Sequence, residues 1–208
     1  MLVSRRSLLS LVGAGLAGAA IAPAMADSLL PPLSAMMSPR TFGSATAPVT
    51  VEEFFSLTCT HCARFANDVM PEITTKLITP GKVRFLYHDY PLDQVAMTAC
   101  MVARALPPER YEPFCLALFA SQNDWAFDPE GGNSTAALGK EALLAGLSPD
   151  RFKAVVADQE LRQALAAQQQ KDTEQYHIDA TPTFRCNGRQ HSGELSFTEF
   201  CSFAGVKP

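Results

Sequence analysis

Two cysteines three positions apart, Cys59 and Cys62, flank Thr60 and His61 at a point where one residue pattern gives way to another. Such a pair can close a small disulfide ring and reopen it, and the species that attacks is the thiolate. Before the pair, Val49-Thr50-Val51-Glu52-Glu53-Phe54-Phe55 is mostly β-branched and aromatic; after it, Phe65, Ala66, Val69 and Met70 recur at three and four positions. A strand therefore runs into a helix here. At the helix start, unpaired N–H groups and the macrodipole stabilise a thiolate, which makes Cys59 the expected nucleophile. Cys62, one turn in and more buried, is the expected resolving thiol. His61 adds a donor, and a positive charge when protonated, which favours the reduced form; Thr60 adds a hydroxyl. Taken alone, Cys59, Cys62 and His61 also fit half a metal site. A tetrahedral zinc site needs further ligands, and neither Cys100 and Cys115 nor His177 and His191 form a matching close-spaced pair. No metal and no organic cofactor is expected, the Cys59–Cys62 disulfide being itself the reagent.

The elements that must hold this pair can be read outward from it. The strand over 49–55 is apolar on both faces and so is expected at the centre of a sheet. The helix that follows carries Pro71, which should kink or interrupt it before Ile73 to Leu77. After Pro80-Gly81, Lys82 to His88 reads as a second strand, completing a βαβ unit. From about Leu92 to His177 the chain is helical by composition, with segments at 94–106, 109–121, 135–145, a fourth opened by Ser148-Pro149, and a long last one at 160–176. Residues 182–186 and 189–191 form a hairpin across Asn187-Gly188, and Ser196 to Glu199 is a capping box opening a last helix through Phe203.

Export explains the cysteine content. Arg5-Arg6 precedes Leu8-Leu9, an apolar Gly/Ala-rich run and Ala24-Met25-Ala26, the order of a secretory signal cleaved after Ala26. Ser4-Arg5-Arg6-Ser7-Leu8-Leu9 resembles a twin-arginine signal, although Leu8 stands where the full pattern has Phe, so general secretion stays open. The chain has 208 residues, 47% hydrophobic and 18% charged, with a net charge of −4. Cleavage would leave 15 basic against 21 acidic residues, a charge of −6, and no basic surplus for nucleic acid. An exported, periplasmic protein with six cysteines lives where disulfides persist. Residues 27–47 carry turn formers and are expected as an extended lead-in, too short to be a dimerisation domain; a monomer is expected.

Ala47-Pro48-Val49-Thr50-Val51, Glu53-Phe54-Phe55-Ser56, Cys59-Thr60-His61-Cys62, Tyr90-Pro91-Leu92 and Ala180-Thr181-Pro182-Thr183-Phe184 together resemble the DsbA-like thiol:disulfide oxidoreductases. The resemblance runs from about Phe42 to Phe203. It implies an α/β thioredoxin fold, residues 48–92 and 178–208, with an inserted all-helical domain, residues 93–177. It implies that Pro182 is a cis proline facing the disulfide and that Thr181 offers backbone hydrogen bonds to a client segment. Glu53 matches the family's acidic residue beneath the resolving cysteine, a proton acceptor for Cys62, and its alternation partners Val51 and Phe55 are apolar, which suits burial. The implied activity is the introduction of disulfides into reduced or unfolded exported proteins, with reoxidation by a DsbB-like membrane quinone reductase; isomerase or reductase activity on the same fold is the alternative. Two positions depart from the family: Thr60 replaces the proline common in the dipeptide, and His88 stands where related sequences often carry Arg.

Four cysteines lie outside the motif. Cys100 and Cys115 are placed symmetrically about Pro107-Pro108, so a helical hairpin turning there would bring them to the same height. Cys186, on a strand, and Cys201, in the last helix, form the other candidate pair. Either these are structural disulfides, in one of three possible pairings, or they are four small buried hydrophobes.

Overall fold

The structure, a computed structural model, describes residues 29–127 and 129–208. The expected export signal lies outside them. Among the described residues no helix is long and apolar enough to cross a membrane.

A five-stranded sheet of order β1-β3-β2-β4-β5 organises the chain. Its strands are β1 (Arg40–Phe42), β2 (Val49–Phe55), β3 (Val83–Asp89), β4 (Thr183–Cys186) and β5 (Arg189–Ser192). β2 pairs with β3 in parallel, and all other pairings are antiparallel. The central position expected for β2 is observed, and its side chains show why. Val51 and Phe55 enter the main core, whereas Phe54 points to the opposite face against Tyr90, Ile178 and Tyr176. Glu53 alternates with Val51 and Phe55 and is buried with them.

The helix after Cys59 is not uniform. It runs as α2 (Thr60–Arg64), a π-helical turn over Phe65–Val69, α3 (Met70–Ile73) and a second π-helical turn over Thr74–Ile78. The interruption expected at Pro71 is thus observed: Pro71 has no N–H to give to Asn67, and the turn preceding it is widened. The helical insertion comprises α4 (Gln94–Ala105), α5 (Pro108–Ala120), α6 (Ser134–Leu144), α7 (Pro149–Ala157) and α8 (Gln159–Tyr176). α4 is capped by Asp93, α7 by Ser148 and α8 by Asp158, each side chain accepting a backbone N–H. The Asn187-Gly188 turn has positive φ at both residues, 50° and 74°, as a hairpin turn matching strand twist requires. α9 (Phe197–Ala204) begins with the expected capping box of Ser196 and Glu199. Its Phe200 stacks on Phe85 with centroids 5.6 Å apart, which seats α9 on the sheet.

The lead-in differs from expectation. It holds a one-turn helix, α1 (Leu33–Met36), and the edge strand β1, which extends the sheet. The cause is non-local. Arg104 of α4 donates to the carbonyls of Met36 and Ser38 at 3.1 and 2.8 Å, and buried Arg40 of β1 donates to the Arg104 carbonyl at 3.2 Å. Arg104 is itself held by Asp89 at 2.6 Å, and Asp89 also accepts from the Tyr111 hydroxyl at 2.7 Å. Burial works against the charge on Arg104, but Asp89 and Tyr111 raise its pKa overall.

Candidate active site

Cys59 is the N-cap of α2, with φ −81° and ψ 120°, and its carbonyl accepts from the Ala63 N–H at 3.1 Å. Its thiol donates to the Thr181 carbonyl at 3.2 Å, across 122 positions of sequence. The Thr181–Pro182 bond is cis, as the family resemblance implied. Cys59 is pulled down to about 5, first by a hydrogen bond from the Cys62 thiol, against opposition from burial, and further by the Thr181 side chain and the N–H groups of Cys62 and His61. The Thr181 hydroxyl is buried with no other partner, and its side chain is among the groups that lower Cys59. Cys62 is fully buried, and that burial, followed by its hydrogen bond to Cys59 and the Cys59 charge, raises its thiol well above the usual range. One sulfur is thus tuned to be a thiolate and leaving group, its neighbour to hold its proton.

Glu53 is buried on β2, and burial followed by the Cys59 charge pushes it up to about 8. At neutral pH it holds a proton in electrostatic reach of Cys62. His61 and Thr60 are exposed, and neither is placed against the sulfur by a side-chain hydrogen bond. His61 instead meets the carboxylate of Glu194, in the loop between β5 and α9, and Arg64 joins them, its Nη2 lying 2.5 Å from Glu194.

Several supporting groups carried no sequence signal. Gln122, buried just past α5, donates to the carbonyls of Leu57 and Cys59 at 2.9 and 3.1 Å. Thr58 donates to Asp93 at 2.6 Å, and Leu92 N–H to Ser56 Oγ at 3.3 Å. The loop entering α2 is therefore held from the helical insertion. A cavity of about 350 Å³ opens beside Thr60 and Arg64, lined also by Asn67, Phe119, Gln122 and Asp124. His88, unassigned by sequence, stacks on Phe54 at 4.2 Å and lies between Glu52 at 3.2 Å and Asp172 of α8 at 3.4 Å. Burial alone would lower its pKa, but Asp172 and Glu52 raise it.

All six cysteines are free thiols and buried. Neither pair considered for structural disulfides is bonded in this structure. Cys100 and Cys115 do lie in the same fully buried environment on the α4–α5 hairpin, each raised first by burial and then by Asp89; Cys186 and Cys201 pack in the core of the sheet and α9. Among the described residues no cluster of three or more His, Cys, Asp or Glu side chains is placed to hold a metal ion.

A family model described as thioredoxin matches residues 36–203, which include every element from the end of α1 into α9. The chain belongs to the thioredoxin family. Within it the chain is DsbA-like. Alpha-DsbA1 of Wolbachia pipientis superposes with a TM-score of 0.74 at 26% identity, over 85% of this chain and 92% of that one. BdbD of Bacillus subtilis shares the fold, with a TM-score of 0.65 at 22% identity over 85% and 94% of the two chains. In sequence, a Rickettsia bellii protein named as a protein-disulfide oxidoreductase is 24% identical over 149 residues, 71% of this chain and 56% of its own length. Disulfide bond formation protein D of Bacillus subtilis is 28% identical over 160 residues, 71% and 67% of the two. The chain thus spans about half the length of the rickettsial relatives.

Proposed function

We propose that this protein is a periplasmic thiol:disulfide oxidoreductase that introduces disulfides into exported proteins through Cys59 and Cys62. The observation that carries the reading is the opposed acidity of two adjacent sulfurs, Cys59 at about 5 and Cys62 far above the usual range, facing the Thr181 carbonyl before a cis proline. The names of the relatives in Rickettsia and Bacillus subtilis support it.

In the oxidised protein a client thiolate attacks the Cys59 sulfur, forming a mixed disulfide and breaking the Cys59–Cys62 bond. The electron pair goes to Cys62, which takes a proton; Glu53, whose carboxyl is pushed up chiefly by burial, is the buried donor at hand. A second client thiolate then attacks the client sulfur of the mixed disulfide and expels Cys59. Expulsion is fast because a thiol of low pKa is a good leaving group. The client departs with a disulfide, and two electrons remain in the Cys59–Cys62 dithiol. A DsbB-like membrane quinone reductase would accept them. The cis-proline segment would align the client by backbone hydrogen bonds at Thr181.

Cys59→Ser should abolish oxidation of a reduced dithiol peptide while leaving the circular dichroism unchanged; retained turnover would refute the assignment. The reduction potential of the couple decides the direction. A value near about −120 mV means a disulfide donor, and one near about −270 mV a reductant, contrary to the proposal.

A further inference from the structure

Glu194 joins the two halves of the site. Its neighbour Gly193 donates a backbone N–H to the Pro182 carbonyl at 2.8 Å, so the Glu194 backbone is tied to the cis-proline loop. Its carboxylate reaches the opposite half. It accepts from Arg64 Nε at 3.1 and 3.2 Å and from Arg64 Nη2 at 2.5 Å, and it bonds His61 Nδ1. Arg64 and His61 are three apart on α2 and therefore share a face, with Arg64 Nη2 at 2.6 Å from the same Nδ1. One ring nitrogen cannot both accept from the guanidinium and donate to the carboxylate. Glu194 accepts from Arg64 through Nε and Nη2, and with Nδ1 protonated His61 donates to the same carboxylate.

We propose that Glu194 is a positioning residue that holds Arg64 and His61 beside the first turn of α2, and so biases the Cys59–Cys62 couple toward the dithiol. The inference rests on the thiol–disulfide reading above. Both held groups are more than half exposed, 53% for Arg64 and 60% for His61. Without an anchor each would spend its time in solvent, where the Arg64 charge and the His61 donor are screened from the sulfur. Arg64 is raised first by its hydrogen bond to Glu194 and further by the Glu194 and Cys59 charges, while Glu194 is lowered by Arg64 and then His61 against the opposition of burial. The guanidinium that Glu194 holds is thus a charge that the Cys59 thiolate feels, five positions along from the sulfur.

This makes the sign of the effect decisive. A carboxylate acting only through its own charge would repel the thiolate, and its removal would favour the dithiol. An anchor for two donors does the reverse. The test equilibrates the full chain with glutathione, in which one protein disulfide and two glutathione thiols give one protein dithiol and one glutathione disulfide. Glu194→Ala should lower that equilibrium constant by about two- to fivefold, the size of a solvent-exposed charge interaction. It should also move the Cys59 thiolate absorbance to higher pH. Glu194→Gln, which keeps an acceptor oxygen without the charge, should fall between Glu194→Ala and the wild type. An unchanged or raised constant in Glu194→Ala, with circular dichroism like the wild type, overturns the inference while leaving the activity standing. A wild-type couple that does not exchange with glutathione at all overturns both.

Discussion

The depressed pKa of Cys59 should make the reduced protein more stable than its oxidised form near neutral pH, by an amount that acid removes. The perturbation is pH, because the oxidised protein has no Cys59 thiol to titrate. Cys59 falls from an ordinary 9.0 to about 5. A folded-state value below the unfolded one contributes stability that is complete above the unfolded pKa and lost as pH falls through the folded pKa. At about pH 7 roughly half of the shift is expressed, or about 2.7 kcal/mol, and at about pH 5 only about 0.4 kcal/mol remains. Cys59 caps the start of α2 with exposed Thr60 and His61 beside it, so solvent screens part of this and about 2 kcal/mol near neutrality is the working figure. For a two-electron couple that corresponds to about 40 mV toward the oxidising end. The burial of Glu53 is common to both redox forms and largely cancels between them. Urea unfolding of the oxidised and the anaerobically reduced protein, at steps from about pH 7.5 to about pH 4.5, gives the difference directly. A gap that stays flat over this range, or widens as pH falls, would refute the reasoning that thiolate stabilisation sets the redox bias.

Three further outcomes follow from the buried contacts. Asp89→Ala leaves the Arg104 guanidinium and the Tyr111 hydroxyl buried without their shared acceptor, and should cost about 3–5 kcal/mol in urea unfolding. Gln122→Ala strips a buried donor from the carbonyls of Leu57 and Cys59; a loss of about 1–3 kcal/mol is expected, and a neutral effect would show that the insertion does not hold this loop. His88 has a raised folded-state pKa, so the stability it adds is fully present below about pH 6.5 and is lost as pH rises through the folded value. Thermal melts across that range should show the decline in the wild type, and Asp172→Asn should flatten it.

What the sequence made legible was what local pattern controls. The strand at 49–55, the helix start at Cys59, the Pro71 interruption, the Asn187-Gly188 turn and the Ser196–Glu199 capping box each need only neighbours within a few positions. The cis state of Pro182 had no local signal and came only through the family resemblance. β1 was missed because three residues give no period, and because one of them, Arg40, is a buried cation sustained by Met36 and Arg104 rather than by any neighbour in its own strand. The symmetry of Cys100 and Cys115 about Pro107-Pro108 correctly brought them to one buried place, but position alone does not decide whether a bond forms, and both are free thiols here. Gln122 and Glu194 were invisible for a simpler reason. Their partners lie at least 63 and 130 positions away, and a lone Gln or Glu carries no spacing to recognise.

The same long-range contacts assign the helical insertion a role beyond covering one side of the sheet. The chain from Ser56 to Cys59 must leave β2 and present an N-cap sulfur at the cis-proline loop, and its own sequence offers only Ser56 and Thr58 to fix that path. The remaining anchors come from the insertion and its entry: Asp93 takes the Thr58 hydroxyl, and Gln122 takes the carbonyls of Leu57 and Cys59. On the far face Tyr90 bonds Thr173 of α8 and the Ile178 carbonyl at 2.7 and 2.9 Å, while Gln169 holds the Pro91 carbonyl at 3.0 Å. Both ends of the insertion are thereby fixed to the strands that carry the site. The cysteine motif supplies the reactive sulfurs, but the Cys59 geometry that lowers its pKa depends on side chains from outside the motif. A substitution in the insertion far from either sulfur can therefore change the couple without touching it.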